Sequence, residues 1–335
     1  MRGGRARGTL PLRAIMAGEV LDTAVVLFRE RALPLLLIAA PLQALEQIAV
    51  WHAGAPLLDG YAAFTVWWGV IATVLACDAV IVLLLGAYAG AATVPALIGE
   101  KVGHRALLKR TRPLPLLATV LLPALAAWPG AYFGLVGLIA VSGFLGLAGV
   151  ALVIDRAGWP FGALGRSIVL VTRPGLRGLF NRIFGFLIWL VVRLALAIGP
   201  ILFLWQAGLV ANGYLGDWPV LAVWGLAGTV SCAALACLDA VTLIDTRIRS
   251  EGLDIALRRA LTNGTDPAAV FVHERPRGDA PMQVAPQPSL PPWPQALVRP
   301  SVPAGMSRQA QMQWIQAQAQ AQYQQAPRPE EGRES

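Results

Sequence analysis

The side chains with the clearest chemical potential are ionisable groups inside long apolar runs. Asp78 and Arg193 each fall near the middle of such a run, Asp239 lies nearer the end of another, and Glu46 lies near the end of the first. A charged side chain at the centre of a bilayer costs about 2.5–3.5 kcal/mol on insertion scales. Each such residue therefore indicates either an oppositely charged partner within the bundle or a functional role. We interpret Asp78 and Arg193 as an interhelical pair that fixes helix register. The alternative is a proton path, an ion path or a buried substrate contact formed by Asp78, Arg193 and Asp239.

A second group of charged residues flanks the apolar runs on one side. Its members precede the first run, precede the fifth or follow the sixth: Glu19, Asp22, Arg29, Arg166, Asp245, Arg247, Arg249 and Glu251. Interspersed acids and arginines at one end of a helical bundle predict a polar cap. Because Glu19 and Asp22 have only Arg29 as a nearby cation on their own helix, we expect at least one of them to contact Arg166, Arg247 or Arg249.

The motifs of common catalytic and metal sites are absent from the sequence. It contains no glycine-rich phosphate loop, no H-E-x-x-H, no paired-cysteine spacing and no G-x-S-x-G. Its three histidines lie on different segments, and its three cysteines lie inside apolar runs, where they are typical packing residues. We therefore predict no catalytic residue, no cofactor and no metal ligand, and a protein that is not an enzyme.

The elements that must position these groups are helices. The chain has 335 residues, of which 56% are hydrophobic and only 14% charged, a composition typical of membrane proteins. Lipid-exposed backbone must satisfy its own hydrogen bonds, so long apolar runs predict an all-α helical bundle. We expect six transmembrane helices, at roughly 33–50, 66–98, 114–128, 132–154, 183–206 and 218–244.

Charge predicts the orientation of this bundle. Every Lys and Arg except Arg193 lies in the N-terminal segment, in 99–113, in 155–182 or in the C-terminal region, and the opposite connections contain none. The positive-inside rule then places both termini in the cytoplasm of a multi-pass plasma-membrane protein. A polar-faced segment precedes each pair of spans, which predicts three hairpins, each with a cytoplasmic amphipathic helix. The sequence pI of about 10.1 reflects this topology, so we expect anionic lipid headgroups and no nucleic acid as partners.

Three stretches carry a resemblance to a known group. They are "AGEVLDTAVVLFRERALPLLLIA", "FGALGRSIVLVTRPGLRGLFNRIFG" and "LIDTRIRSEGLDIALRRA". They resemble six-span actinobacterial membrane proteins that are described as similar to the membrane domain of glycerophosphodiester phosphodiesterases. The abundance of Arg and Ala is also typical of a GC-rich genome. The phosphodiesterase chemistry of that family belongs to a separate soluble barrel domain, so the resemblance implies the membrane architecture and no catalytic activity.

Composition also divides the chain. Residues 1–10 predict a disordered basic N-terminus, residues 11–262 a six-span membrane domain, and residues 263–335 a disordered Pro/Gln-rich cytoplasmic tail. Two functions stay open. The first is a non-enzymatic scaffold or accessory subunit at the cell envelope, with a second membrane protein as its partner. The second is a transporter or lipid-handling protein that uses Asp78, Arg193 and Asp239. A wide polar cavity around these three would favour transport, and a dry Asp78–Arg193 pair would favour the scaffold.

Overall fold

Six long apolar helices form a bundle, in agreement with the predicted fold class. The computed structural model describes residues 11, 13–54, 64–100, 102–158, 160–173, 175–210 and 218–271. Within them the helices are α1 (Ala17–Gly54), α2 (Phe64–Ile98), α3 (His104–Arg110), α4 (Pro113–Tyr132), α5 (Leu135–Leu145), α6 (Ala148–Ile154), α7 (Phe161–Thr172), α8 (Arg177–Gln206), α9 (Trp218–Glu251) and α10 (Leu253–Asn263), followed by a short 3₁₀ helix at Pro267–Phe271. No β-strand occurs in these ranges.

Each of the six predicted runs corresponds to a helical segment long and apolar enough to cross a membrane. These segments are Ala17–His52, Phe64–Ile98, Pro113–Tyr132, Val136–Ile154, Arg177–Gln206 and Trp218–Glu251. The first, fifth and sixth continue well beyond the predicted bounds, because helix formation does not stop where apolarity stops. The fourth is made of α5 and α6, with a break in the helix around Gly146.

The predicted hairpins are present as α1 with α2, α4 with α5–α6, and α8 with α9, and each is preceded by a further helical segment. For the second and third hairpins these segments are α3 and α7. For the first hairpin it is the beginning of α1 itself, which is set off by non-helical dihedral angles at Arg31 (φ −122°, ψ 20°). Pro34 accounts for this kink, since proline lacks the N–H that the preceding turn would use and its ring crowds that turn.

The buried centre of the bundle is α9. In the most apolar stretch of α9, 67% of the residues are buried, whereas in the most apolar stretch of α8 only 11% are buried. Helix α9 packs against α1, α2 and α8, so the first and last long helices are direct neighbours. Leu85, Leu147, Leu238 and Leu243 are fully buried in the largest core cluster. Helix α8, by contrast, presents most of its side chains to the outside.

Glycines allow the closest helix contacts, as expected in a bundle of this composition. A Cβ atom on Gly149 of α6 would lie 2.2 Å from the Leu83 carbonyl oxygen of α2. Gly86 and Gly90 of α2 lie against Val150 of α6, where a Cβ would be 3.2 and 3.1 Å away, respectively. These contacts hold α6 directly against the backbone of α2.

The packed unit extends beyond the predicted boundary at residue 262. Helix α9 ends near Gly252, whose positive φ of 63° suits a glycine and starts the turn into α10. After α10, Phe271 of the 3₁₀ helix is buried in the main core together with Leu253 and Leu257. A boundary at 262 was therefore wrong for 263–271, because composition alone did not reveal this apolar anchor. Residues 1–10 and 272–335 lie outside the described residues, so their predicted disorder remains a prediction.

Candidate functional site

The predicted contact between Asp78 of α2 and Arg193 of α8 is present. A terminal guanidinium nitrogen of Arg193 donates a hydrogen bond to Asp78 Oδ2, and both side chains are buried. The two residues were placed together because their depths, counted from the span ends, nearly coincide. The pair therefore links two helices that have few other contacts.

This pair belongs to a larger buried cluster, which we call the interior cluster: Gln43 and Glu46 of α1, Asp78, Arg193 and Cys232 of α9. Arg193 Nη2 lies 3.4 Å from Glu46 Oε1. Gln43 Nε2 donates to Glu46 Oε2 at 2.8 Å and to Asp78 Oδ1 at 3.1 Å. The Cys232 thiol donates to the same Asp78 oxygen at 3.2 Å. Four helices therefore meet at one cluster.

The interpretation of Asp78 and Arg193 as an interhelical pair was incomplete, because Arg193 has a second acidic partner in Glu46. Glu46 was placed near the outer end of its span, but α1 continues to Gly54, so Glu46 lies about two turns inside the helix. The signal that could have found this contact is the spacing of Gln43 and Glu46, which lie three positions apart and therefore share a helix face.

The interior cluster is tightly enclosed on one side. A Cβ on Gly228 of α9 would lie 2.1 Å from Gln43 Oε1 and 2.8 Å from Arg193 Nη2, so only glycine leaves room for both side chains. The ring of Trp224 covers the Arg193 guanidinium at 4.9 Å. Two buried atoms, Gln43 Oε1 and Arg193 Nε, have no hydrogen-bond partner among the described residues.

Asp239, the third residue of the predicted interior set, does not pair with Arg193. It accepts two hydrogen bonds from Arg182 of α8, at 2.6 Å to Oδ1 and 2.9 Å to Oδ2. Arg182 also donates to the main-chain oxygens of Ser142 and Gly143 on α5. Arg182 was assigned to a basic loop, but α8 begins earlier, at Arg177. It lies about three turns before Arg193 on the same helix face. This spacing could have identified Arg182 as a second interior arginine.

A cavity of about 640 Å³ lies beside both ion pairs. Its walls come from α2, α5, α8 and α9, and Asp78, Arg182, Arg193 and Asp239 supply the charged part of the lining. The rest is almost entirely apolar and aromatic, including Trp67, Trp68, Ile139, Leu187, Trp189 and Trp224. Helix α8 packs closely along α9 but has few contacts with α5, among them those of Leu179 and Arg182 with Gly143 and Gly146, and the cavity lies between these helices. We call it the lateral cavity.

The predicted polar cap is centred on a residue that sequence reasoning missed. Asp155, at the end of α6, is fully buried and accepts from Arg166 Nε at 2.6 Å and from Arg247 Nη1 at 2.7 Å. Glu251 forms ion pairs with the same two arginines, at 2.5 Å to Arg166 and 2.9 Å to Arg247. Arg247 also donates to the Phe271 carbonyl oxygen at 3.2 Å. Asp155 directly follows an apolar run, the feature that could have identified it.

The carboxylates of this cap favour the charged form of Arg166. Burial disfavours the charged form of Arg166, but attraction to Asp155 and hydrogen bonds to Asp155 and Glu251 outweigh burial and raise the pKa of Arg166 above its ordinary value. Arg166 therefore stays charged at every physiological pH.

The predicted contact of Glu19 or Asp22 with Arg166, Arg247 or Arg249 was wrong. Glu19 instead pairs with Arg13 at 2.7 Å and accepts from the Met16 N–H at 2.9 Å, which caps its own helix. Asp22 and Arg29 are exposed. A residue in the first turn of a helix satisfies the free N–H groups of that turn at little cost, and this local option prevails over a distant arginine.

The main chain makes the expected link between the first and last long helices. The Ile15 N–H donates to Asp245 Oδ1 at 3.0 Å, and the Ile15 carbonyl accepts from Arg249 at 2.5 Å and from Arg177 at 3.1 Å. Arg249 also pairs with Asp245 at 3.0 Å. Side-chain types could not reveal this contact, because its N-terminal partner is backbone.

Comparison with known proteins provides no further assignment. No family model, no curated protein and no solved structure matches the chain. In the part of the chain that the structure describes, no group of three or more His, Cys, Asp or Glu side chains is arranged to hold a metal ion.

Proposed function

We propose that the protein is a multi-pass membrane protein that takes an apolar or amphipathic ligand from the bilayer into the lateral cavity. The proposal favours the lipid-handling function over the scaffold. It is carried by one observation, a cavity of about 640 Å³ with an apolar and aromatic lining and two ion pairs in its wall. Ligand sites typically have volumes of roughly 300–1,000 Å³ and combine an apolar lining with a few placed polar groups.

Position and charge support a ligand that enters from lipid. Helix α8, which forms one wall, is the least buried of the six long helices, and its outer face carries Phe184, Val191 and Phe203. Such an apolar face is suited to contact with the hydrocarbon chains of lipids. The arginine-rich end of the bundle fits the cytoplasmic surface with its anionic lipid headgroups, which would place both termini inside the cell. No step of this function requires catalysis or a cofactor.

A filled cavity is the direct test of ligand binding. Ile139 of α5 lines the cavity, so Ile139→Trp would occupy part of it. Val136, on the same helix, is 81% exposed and is not among the lining residues, so Val136→Trp is the matched control. We expect a neutral diazirine photoprobe in native membranes to label Leu187 and Trp189. Ile139→Trp should lower this labelling several-fold and Val136→Trp should leave it unchanged.

The outcome that contradicts the proposal is specific. Leu196 of α8 is exposed but does not line the cavity. If the lining residues are labelled no more than Leu196, or if Ile139→Trp has no effect, the cavity does not hold apolar ligands.

A scaffold or accessory subunit is the second candidate function. The observation that favours it is that both arginines of the bundle interior are already paired with carboxylates, as a purely structural role requires. The exposed face of α8 would then contact another membrane protein. Affinity isolation from native membranes distinguishes the two candidate functions. A stoichiometric protein partner that is lost in the Val191→Arg variant supports the scaffold. If no such partner is isolated with the unmodified chain, ligand binding is favoured.

A further inference from the structure

We propose that the ligand of the lateral cavity is a single extended hydrocarbon chain of a lipid, which lies parallel to the helices. This inference rests on the proposed function, since it names the chemical class of the ligand that the same cavity takes. It is carried by the length of the cavity, by the pairing of the charged groups in its lining and by its opening towards the outer face of the bundle.

The lateral cavity is long and narrow. Its lining on α2 runs from Trp67 to Leu83, and its lining on α9 runs from Trp224 to Asp239. At a rise of about 1.5 Å per residue, these stretches measure about 24 and about 22 Å. A sphere with the volume of the cavity, about 640 Å³, would be only about 11 Å across. A linear chain fits such a space, whereas a compact ring system would leave much of its length empty.

Continuous helix faces line the cavity over this length. On α2 the lining includes a stripe of residues three or four positions apart, which share one helix face: Trp67, Ile71, Val74, Asp78 and Val82. The lining of α8, from Arg182 to Arg193, follows the same spacing. The cavity is therefore a slot that runs parallel to the helices.

The charged groups of the slot are paired with one another. Arg182 pairs with Asp239, and Arg193 pairs with Asp78. Glu46, which also contacts Arg193, is buried and does not line the cavity. Burial and the neighbouring Asp78 favour the protonated form of Glu46, which leaves the interior cluster electrically neutral. The described lining therefore offers no unpaired charge to an ionic ligand.

The hydroxyl groups of the described lining are also engaged. Ser142 and Ser231 each donate to a main-chain oxygen one turn earlier in their own helix, at 2.7 and 2.9 Å, respectively. An ion or a strongly polar headgroup would lose its hydration in the slot without gaining equivalent partners. A hydrocarbon chain has no such hydration to lose, so it is the part of a lipid that suits the slot.

The slot opens sideways. Ile71 of α2, Ile139 of α5 and Leu187 of α8 line it and are also exposed on the surface of the bundle, so a chain can enter from a surrounding bilayer. Trp67 lies at the end of the slot that is farther from the arginine-rich end of the bundle, and indole rings favour the membrane interface. The headgroup would remain at this Trp67 end, and the methyl end of the chain would reach Leu83.

Photoreactive phosphatidylcholines with a diazirine at different positions of one acyl chain test this inference. One lipid carries the diazirine near the ester group and the other carries it near the methyl end. With the full chain in lipid nanodiscs, we expect the first to label Trp67 and Ile71 and the second to label Leu83 and Ile183, each several-fold above the exposed Leu196. Mass spectrometry of the labelled peptides should show a shift of about 18 Å along α2, the distance from Ile71 to Leu83.

A side chain that interrupts the slot provides the variant. Leu190 of α8 lines the cavity about one turn from Arg193, so Leu190→Trp would fill the slot between its two ends. We expect this variant to lower labelling at the Leu83 end several-fold and to leave labelling at the Trp67 end unchanged. Leu194 is exposed and does not line the cavity, so Leu194→Trp is the matched control and should alter neither. The two lipids on the unmodified chain keep the test decisive if Leu190→Trp fails to fold.

The outcomes separate this inference from the proposed function. If both diazirine positions label the same lining residues, the ligand does not lie along the slot and the inference is overturned. If the compact neutral photoprobe still labels Leu187 and Trp189 in that case, the cavity remains a ligand site. If neither the lipids nor the compact probe label the lining above Leu196, the proposed function fails as well.

The same experiment identifies the source of the chain. A photoreactive free fatty acid with the diazirine at the same two positions is compared with the phosphatidylcholines. The expected shift in labelling with phosphatidylcholine supports the acyl chain of a membrane lipid. The shift with the fatty acid alone supports the same chain chemistry and assigns it to a free fatty acid.

Discussion

The interior cluster and the polar cap use the same side chains, arginine and carboxylate, in opposite ways. In the cap, Asp155 and Glu251 share Arg166 and Arg247, and two carboxylates face two guanidinium groups. In the interior cluster, two carboxylates share one guanidinium and a cavity opens beside them. The enclosed network of the cap can only stabilise the fold, whereas the network of the interior cluster lies beside a cavity and can also contact a ligand.

The largest expected effect is at the centre of the cap. Asp155→Ala would leave Arg166 and Arg247 buried without their shared carboxylate, so we expect a loss of about 3–5 kcal/mol in the free energy of unfolding. Glu251→Ala is the matched control, because Glu251 is the more exposed acid, 18% against 0% for the side chain of Asp155. Its cost should be clearly smaller. Chemical unfolding in detergent micelles measures both, and equal costs would show that Asp155 is not the centre of the cap.

A smaller but more specific effect is expected for the pair in the interior cluster. Asp78→Asn and Arg193→Gln each leave a charged partner in a buried site, so the double variant should be less destabilised than the sum of the two single variants. We expect a coupling of about 1–3 kcal/mol. Because Glu46 also contacts Arg193, adding Glu46→Gln to the double variant should recover further stability. Strictly additive costs in thermal unfolding would show that the pair does not couple α2 to α8.

The smallest effect is expected at the C-terminus. Deletion of 276–335 removes no residue of the described core, so the free energy of unfolding should change by less than about 0.5 kcal/mol. Deletion of 264–335 also removes Phe271, which is buried and whose carbonyl oxygen accepts a hydrogen bond from Arg247. The longer deletion should therefore be measurably destabilised in the same thermal assay. A large loss in the shorter deletion would show that residues beyond 275 also stabilise the bundle.

Sequence reasoning succeeded for features that depend only on the position of a residue along the bundle axis, which we call its depth. Apolar length predicts the six helices, and the depths of Asp78 and Arg193 predict their contact, because an aligned bundle brings equal depths together. It failed where a helix extends beyond its apolar part. For this reason Glu46 was placed too near the end of its helix, and Arg182 was assigned to a loop.

Other features depend on rotation and packing, which depth does not determine. Depth did not predict that Asp239 pairs with Arg182, and side-chain types did not predict a link through the main chain of Ile15. The lateral cavity was also not predictable, since it is the gap left where α8 follows α9 and separates from α5. A cavity forms where neighbouring helices separate, and the sequence of a single helix does not determine how far it lies from its neighbours.

The adjacency of α1 and α9 has a consequence for biosynthesis. The first hairpin, α1 with α2, leaves the ribosome with Glu46 and Asp78 long before Arg193 is translated, and α9, the buried centre, is made last. Until then the nascent chain carries two carboxyl groups in apolar helices with no cation to meet them. If this hairpin enters the bilayer as it emerges, its two carboxyl groups gain their cationic partner only when α8 is inserted.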